Sequence, residues 1–229
     1  MAISLAHRGD WSASPENTLA AFAAAERAGA DMIELDVQLT ADGAVVVLHD
    51  ETLDRVWGVA RAVSGMTLDE VRGVRHGEHG ISTLAEVLEA VGLPIMLDYK
   101  EESGAVEPAL AEVRRAGAVE RTVWAGHNLE GHALLRRLEP DARIALSWSQ
   151  ATPPSERLLR DLGAEWFNPE WDLLDAGLVE SMHRLGFGVS TWTVDDEATM
   201  RRVLDLGVDA VITNRIGALV PLLQEKVAC

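Results

Sequence analysis

The sequence of 229 residues predicts an α/β protein with the architecture of a (β/α)8 TIM barrel. Two observations predict this fold class: short apolar segments alternate with amphipathic ones, and the length suits one barrel of eight strands and eight helices. A third observation is a hairpin signal, which reduces nine candidate strands to eight in the barrel. We therefore expect one barrel domain over residues 1–229, with a short insertion after the β-hairpin that carries His49.

The candidate strands are nine short apolar segments. They cover residues 3–6, 31–37, 44–48, 94–98, 121–125, 142–147, 165–168, 187–192 and 208–213. Most of them are separated by amphipathic segments, in which apolar residues such as Leu84, Val87 and Leu88 have helical spacing. Thr67 and Thr83 each begin a capping-box sequence, which is typical of a helix start. Strands that alternate with helices predict a parallel sheet with helical crossovers.

The segments 31–37 and 44–48 are too close in sequence for a parallel crossover. The dipeptide Asp42-Gly43 between them is a signal for a two-residue hairpin turn of type I′. Pairing outward from this turn places Asp36 opposite His49. The segment 44–48 is then an antiparallel return arm, which leaves eight strands for the barrel.

The stretch after the hairpin, residues 51–80, is rich in glycine and charged residues and has no strand signal. We expect it to form a small excursion over the barrel mouth, with one short helix near residues 67–73.

The composition is strongly acidic, since 20 Lys and Arg against 37 Asp and Glu give a net charge of −17. This charge argues against nucleic acid or an anionic membrane as a partner. The sequence has no run of about 18 apolar residues, so it does not predict stable membrane insertion. No signal peptide is visible, and Cys229 is the only cysteine. We expect a cytoplasmic protein with a small-molecule partner and no intrachain disulfide; the oligomeric state stays open.

Acidic residues are predicted to converge at the barrel mouth. Glu34 and Asp36 are two positions apart on a strand and point to one face, and Asp98 and Lys100 repeat this spacing. Three converging carboxylates repel unless a cation offsets them, and oxygen ligands suit Mg²⁺ or Ca²⁺. The alternative is that these acids are surface charges or salt-bridge partners. The apolar surroundings of Glu34 and Asp36 disfavour that alternative. For Asp98 and Lys100, a simple salt bridge is as well supported as a role in the site.

Two histidines are candidates for general acid–base catalysis: His7 follows the first strand, and His49 ends the hairpin arm. Either histidine alone is more often structural, and convergence with the acids is what supports a catalytic role. Arg8 and Lys100 are candidates for holding a phosphate group. His127 follows a predicted strand and is expected to face the mouth.

Several stretches match one enzyme family in order and spacing. They are His7-Arg8-Gly9, Pro15-Glu16-Asn17-Thr18, Ile33-Glu34-Leu35-Asp36-Val37, Asp42-Gly43, Val47-Leu48-His49-Asp50 with Leu53 and Arg55, Leu84-Ala85-Glu86-Val87-Leu88, Asp98-Tyr99-Lys100, Thr191-Trp192-Thr193-Val194, and Gly207-Val208-Asp209 with Ile212-Thr213-Asn214. Nearly end to end, the sequence resembles the glycerophosphodiester phosphodiesterase family, within the superfamily of phosphodiesterases similar to phosphatidylinositol phospholipase C.

The resemblance implies a barrel enzyme that hydrolyses glycerophosphodiesters to an alcohol and glycerol 3-phosphate, with one divalent cation, Mg²⁺ or Ca²⁺. It implies that His7 and His49 are the catalytic pair. It also implies that Glu34 and Asp36 bind the metal and that Arg8 and Lys100 bind phosphate. The convergence of the strand ends adds Asp98 as a third candidate ligand.

The sequence departs from the family at the substrate-contacting rim. Asp98 stands where the family usually has Glu, and Asp at this position resembles the related phospholipase D and sphingomyelinase D branch. A phospholipase D-like enzyme acting on lysophospholipids or sphingolipids is therefore the alternative. Ala125-Gly126-His127 replaces a common Ser-Phe pair, and Asn214 stands where Asp is common. A barrel kept as a binding module would require a lost catalytic group, and none is missing.

Tryptophans are the other unusual feature of the rim. Trp11, Trp148, Trp171 and Trp192 lie at or just beyond predicted strand ends. One hypothesis is that they form an aromatic wall for the alcohol moiety, including a choline-like cation, with Trp192 as the substrate-binding candidate. The alternative is that these rings pack the rim.

Overall fold

Eight parallel strands close into a barrel in this computed structural model, which describes residues 2–12, 14–100 and 104–227. Cys229, and with it the expectation about disulfides, lies outside these residues. The strands are β1 (Ile3–His7), β2 (Met32–Leu39), β3 (Val45–Val47), β4 (Thr52–Leu53), β5 (Val59–Ala62), β6 (Arg75–His76), β7 (His79–Gly80), β8 (Ile95–Tyr99), β9 (Thr122–Gly126), β10 (Arg143–Trp148), β11 (Trp166–Pro169), β12 (Gly188–Thr191) and β13 (Ala210–Thr213).

The barrel order is β1-β2-β8-β9-β10-β11-β12-β13, and β1 closes the ring by pairing with both β13 and β2. All eight strands run parallel, and β3 pairs antiparallel with β2 outside the ring. This confirms the predicted TIM barrel. The nine predicted strands are all present, with ends that differ by one or two residues.

Most of the helices connect the barrel strands and cover their outer face, and the two shortest lie in the excursion after the hairpin. The helices are α1 (Leu19–Arg27), α2 (Asp54–Trp57), α3 (Leu68–Arg72), α4 (Leu84–Ala90), α5 (Val106–Arg115), α6 (Leu129–Leu138), α7 (Glu156–Leu162), α8 (Ala176–Arg184), α9 (Glu197–Leu206) and α10 (Ile216–Val227). The capping boxes predicted at Thr67 and Thr83 are present, with each threonine accepting a backbone N–H and each Glu returning a bond. Within the described ranges, no helix has both the length and the apolar character that crossing a membrane requires.

Two apolar layers hold the barrel together. The larger lies between the strands and the helices, where α4 for example buries Leu84, Val87 and Leu88. The smaller fills the barrel interior with Leu5, Met32, Met96, Val123, Ala125, Ala145, Ala210 and Ile212. Because this interior is filled, polar side chains at the strand C-terminal ends lie above an apolar plug.

The hairpin turn differs from the predicted two-residue type I′ turn. Gly43 has a left-handed φ of 80°, but Asp42 does not, and type I′ needs positive φ at both positions. Thr40 instead bonds the Asp42 carboxylate at 2.6 Å and accepts the N–H of Ala44 at 2.9 Å. The Asp42 carboxylate also accepts the N–H of Leu68 at 3.0 Å. These bonds hold a three-residue loop, so the predicted turn type is wrong.

The longer loop shifts the hairpin register by one residue. Val37 pairs with Val47, so Asp36 lies opposite Leu48, whose N–H donates to the Asp36 carbonyl oxygen at 3.0 Å. The predicted pairing of Asp36 with His49 is therefore wrong. His49 follows the end of β3, and its side chain reaches the same cavity as Asp36 from beyond the strand.

The excursion over residues 51–80 contains the predicted short helix, α3, but also the strand pairs β4–β5 and β6–β7. The expectation of no strands is wrong because these strands have only two to four residues and mostly exposed side chains, too few for an alternating pattern. A separate apolar cluster joins the excursion to the hairpin arm. Its buried members are Val46, Leu48, Leu53, Trp57, Val63, Met66, Val71, Val74 and Ile81.

Candidate active site

A cavity of about 510 Å³ opens at the C-terminal ends of the barrel strands. It brings together every side chain singled out from the sequence as a site residue: His7, Arg8, Glu34, Asp36, His49, Asp98, Lys100 and Trp192. His127 also lines it, as expected. The excursion contributes none of the described lining residues.

The acidic cluster is built by two neighbouring strands. Glu34 and Asp36 share one face of β2, and Asp98 on β8 is the register partner of Asp36. One carboxylate oxygen from each of the three residues lies within 4.8 Å of the others. Glu34 and Asp36 are buried, with relative exposures of 5% and 1%. This all-oxygen donor set fits a hard divalent cation such as Mg²⁺ or Ca²⁺.

The charge in this cluster is compensated unevenly. The Lys100 ammonium lies 3.0 Å from Asp36 Oδ1, and Arg8 Nε lies 3.1 Å from Asp36 Oδ2. Burial alone would raise the pKa of Asp36, but these two cations hold that pKa well below its usual range. By contrast, burial and the neighbouring carboxylates raise the pKa of Glu34 well above normal. Burial raises the pKa of Asp98 to about 6, with Asp36 adding to the effect.

Arg8 is positioned by an unusual backbone turn after β1. It has a left-handed φ of 58°, and its N–H donates to the Glu34 carboxylate at 3.1 Å. Gly9 follows with φ 83°, so close to α1 that a Cβ would lie 2.7 Å from the carbonyl carbon of Ala21. This turn directs the Arg8 guanidinium to Glu16 Oε1, at 2.9 Å, and to Asp36.

Asn17 is a site residue to which the sequence alone assigns no role. Its Nδ2 donates to Asp36 Oδ2 at 2.9 Å, and its side chain is buried. Its φ of 57° lies in the left-handed region, which Asn tolerates better than most residues. An Asn shortly after a strand that carries candidate catalytic residues was the available sequence signal.

The His7 ring is fixed in one tautomer by its Nδ1 partner. Asn214 Oδ1 lies 2.7 Å from His7 Nδ1, and Asn214 Nδ2 donates to Asp195 Oδ2 at 2.7 Å. Because the amide nitrogen is engaged by Asp195, Oδ1 accepts and His7 Nδ1 donates. Nε2, 3.8 Å from Glu34 Oε2, then carries the lone pair. Burial and the Arg8 charge lower the pKa of His7, which favours the neutral ring.

The His49 ring is oriented in a similar way by a carboxylate. His49 Nδ1 donates to Asp50 Oδ1 at 2.6 Å, which leaves Nε2 available for proton transfer. Asp50 is held in turn by Arg55, whose Nε donates to Asp50 Oδ2 at 2.6 Å and whose guanidinium also donates to Glu16. Glu16 therefore links the Arg8 side of the cavity to the His49 side. From the sequence, Asp50 and Arg55 are only part of a stretch that matches the family, since their pairing depends on the folded excursion.

The tryptophans divide into two groups. Trp148 and Trp192 are among the described residues that line the cavity. Trp11 instead donates its Nε1 to Asn214 Oδ1 at 3.2 Å, and Trp171 lies 5.4 Å from an arginine guanidinium. Two of the four rings thus occupy positions where an aromatic wall could contact a substrate, and the other two pack against protein groups.

Comparison with known proteins gives consistent matches. A sequence model of the glycerophosphoryl diester phosphodiesterase family matches residues 7–218. The glycerophosphodiester phosphodiesterase of Caldanaerobacter subterraneus subsp. tengcongensis is 33% identical over 96% of this chain and 97% of its own length. Among solved structures, the glycerophosphodiester phosphodiesterase of Thermotoga maritima superposes with a TM-score of 0.85, at 26% identity over 97% of this chain and 98% of that chain.

A further similar structure holds a ligand. The Oleispira antarctica phosphodiesterase, solved in complex with the product sn-glycerol-3-phosphate, has a TM-score of 0.87 over 99% of this chain and 97% of that chain. At 22% identity, this likeness establishes the shared fold.

Proposed function

This chain belongs to the glycerophosphoryl diester phosphodiesterase family and is one of its enzymes, and from that premise we propose its reaction and its site. The reaction is hydrolysis of a glycerophosphodiester to glycerol 3-phosphate and an alcohol. His7 and His49 act as the acid–base pair, and a divalent cation assists. The observation that carries this proposal is that both rings, each oriented through Nδ1, share one cavity with a carboxylate triad of which Glu34 and Asp36 are buried.

The triad of Glu34, Asp36 and Asp98 would hold the cation, and its oxygen donors suit Mg²⁺ or Ca²⁺. When bound, such a cation acts as a Lewis acid that withdraws charge from a phosphoryl oxygen. Burial and the neighbouring carboxylates raise the pKa values of Glu34 and Asp98, and this supports the role, because a bound cation would offset the repulsion among the three carboxylates.

Arg8 and Lys100 supply the positive charge that a phosphate requires in an otherwise acidic protein. Both line the cavity, and both already lie within 3.1 Å of Asp36. A phosphodiester between them replaces part of their interaction with Asp36. Arg8 presents a planar group that matches two phosphate oxygens, whereas Lys100 acts as a point charge.

The two histidines differ in the group that orients each ring, and this difference assigns their roles. His7 is mostly buried beside Arg8 and bonded to a neutral amide, so its ring stays neutral and accepts a proton through Nε2 from the nucleophile. The nucleophile is either water or a hydroxyl of the substrate's own glycerol, in which case water then opens the cyclic phosphate that forms. His49 donates through Nδ1 to the Asp50 carboxylate, which leaves Nε2 for proton transfer. We therefore assign it the other role, donation of a proton to the oxygen of the leaving alcohol.

The decisive experiment measures products from a panel of glycerophosphodiesters together with lysophosphatidylcholine and sphingomyelin. We expect release of glycerol 3-phosphate from the glycerophosphodiesters, its loss on treatment with EDTA, and its return with Mg²⁺ or Ca²⁺. Cleavage of the two lipids without turnover of any glycerophosphodiester would favour the phospholipase D-like alternative. Full activity after prolonged chelation and removal of bound metal would exclude the cation.

A further inference from the structure

A second polar group lies in the barrel mouth, away from the acidic cluster. Ser147 on β10, Asn168 on β11 and Ser190 on β12 form a chain of hydrogen bonds across three adjacent strands. Their relative exposures are 3%, 3% and 0%. Ser147 and Asn168 both line the cavity, beside apolar side chains of the barrel interior. A buried polar chain in such surroundings is costly unless each of its hydrogens finds an acceptor.

The bonding pattern leaves one hydroxyl hydrogen without an acceptor in the described part of the chain. Ser147 Oγ accepts the backbone N–H of Gly126 at 3.2 Å and Asn168 Nδ2 at 3.2 Å. Those two bonds occupy both of its lone pairs, so its own O–H is left to donate. Ser190 Oγ donates to Asn168 Oδ1 at 2.8 Å, its single hydrogen bond among the described residues.

The orientation of the Asn168 amide follows from the burial of Ser190. If the amide were reversed, Ser190 would accept the amide N–H, and its own hydrogen would be buried with no acceptor. As placed, the hydrogens left over belong to Ser147 Oγ and to the second N–H of Asn168, and both side chains border the cavity. The pair therefore presents two uncharged donors to whatever enters.

The location of this pair separates it from the phosphate-binding side. In the closed order, β11 lies four strands from β2 in either direction, so Asn168 faces Glu34 and Asp36 across the mouth. Trp192 lies beside Asn168, since its Nε1 donates to the Asn168 carbonyl oxygen at 2.9 Å. Met96 supplies an apolar surface in the same cavity.

We propose that Ser147 and Asn168 form a subsite that binds a hydroxyl oxygen of the substrate's glycerol moiety, an inference that rests on the proposed function. Two uncharged donors suit the oxygen of an alcohol. They give nothing to a quaternary ammonium group, which has no acceptor atom, and a phosphate is drawn instead to Arg8 and Lys100, which follow β1 and β8. The apolar surface of Met96 suits the C–H groups of the glycerol chain.

The test compares two phosphate monoesters that share a three-carbon chain, glycerol 3-phosphate and propyl phosphate, of which only the first carries hydroxyl groups. Dissociation constants are measured for the wild type, for Ser147→Ala and for Ser147→Cys, which keeps the shape of the side chain but replaces the hydroxyl with a larger and weaker donor. Wild type should bind glycerol 3-phosphate about tenfold or more tightly than propyl phosphate. Both variants should lose most of that preference while their affinity for propyl phosphate stays unchanged.

The matched control is Ser149→Ala, because Ser149 lines the same cavity from an exposed position and should keep the wild-type preference. Equal affinity of the wild type for the two ligands would overturn the subsite. So would variants that retain the wild-type preference, or that lose affinity for both ligands equally. Failure of the proposed function is separate, since it would appear as a wild-type enzyme that releases no glycerol 3-phosphate from any diester.

Discussion

Asp36 and Asp98 are register partners on adjacent strands, yet they lie in opposite electrostatic situations. Lys100 and Arg8 both lie within 3.1 Å of Asp36, and its pKa is held well below normal. Asp98 has a pKa raised to about 6 by its burial and by the nearby charge of Asp36. The two cations therefore offset the negative charge of Asp36 more than that of Asp98, and several measurable properties follow.

Asp98→Asn should stabilise the ion-free protein at neutral pH. Asp98 has an ordinary pKa of 3.8 when unfolded and about 6 when folded. The folded state holds this proton more tightly, so the stability that it contributes is complete below pH 3.8 and is lost as pH rises through about 6. Asn cannot ionise, so at pH 7.5 the variant should unfold with a free energy about 1–3 kcal/mol higher than wild type.

Urea denaturation in EDTA between pH 4 and 8 measures this effect, with the exposed Asp161→Asn as the control for a general change in net charge. A variant whose stability falls with pH as steeply as wild type would remove Asp98 as the source of the pH dependence.

Divalent cations should stabilise the wild type more at pH 7.5 than at pH 5. Protons compete with the cation for Glu34 and Asp98, whose pKa values are both raised, so binding strengthens as these groups ionise. A ligand that binds only the folded state raises the melting temperature with its concentration. Thermal unfolding with Mg²⁺ and Ca²⁺ at both pH values checks this, and Glu34→Gln should abolish the shift. A cation effect that is equal at both pH values would argue against binding at the triad.

Much of this site was predictable from sequence because its parts lie on regular elements. Glu34 and Asp36 share a strand face through the two-residue period, and the parallel barrel brings that face to Asp98. The register of His49 was not predictable in the same way, since it depends on Thr40 bonding Asp42 and thereby selecting a longer turn. The turn propensity of Asp-Gly alone favours the shorter one.

The groups that orient the histidines were beyond sequence reasoning for a different reason. Asp195 comes from the loop before α9, and it is linked to His7 through Asn214. Ser147 and Asn168 come from adjacent strands, but a single inward Ser or Asn in an apolar strand carries no signal of its own. Only their hydrogen bonds in the folded chain mark them as a pair of donors that faces the cavity.

His7→Ala and His49→Ala should each reduce kcat by about a hundredfold or more, the usual contribution of a general acid or base. Asp50→Asn should have a smaller effect than His49→Ala, because it removes the negative charge beside the ring but leaves the ring in place. His183→Ala is the matched control, since His183 is partly exposed and pairs with Asp209 rather than with cavity residues. Steady-state kinetics on a glycerophosphodiester, with melting temperatures measured alongside, make the comparison. Wild-type turnover in either principal variant would remove that histidine from the mechanism.

Gly9→Ala should damage both stability and activity, because Gly9 has two constraints that reinforce each other. Its φ of 83° disfavours any residue with a Cβ, and that Cβ would lie 2.7 Å from the backbone of Ala21, which cannot move aside without shifting α1. The backbone shift would carry Arg8 away from Glu16 and Asp36.

Gly43→Ala is the matched control: its φ is 80°, but the space around it is open, so it suffers the conformational cost alone, about 1 kcal/mol. Gly9→Ala should lose at least twice that in urea denaturation and should bind phosphate monoesters more weakly, whereas Gly43→Ala should bind them normally. Equal behaviour of the two variants would show that the contact with α1 does not position Arg8.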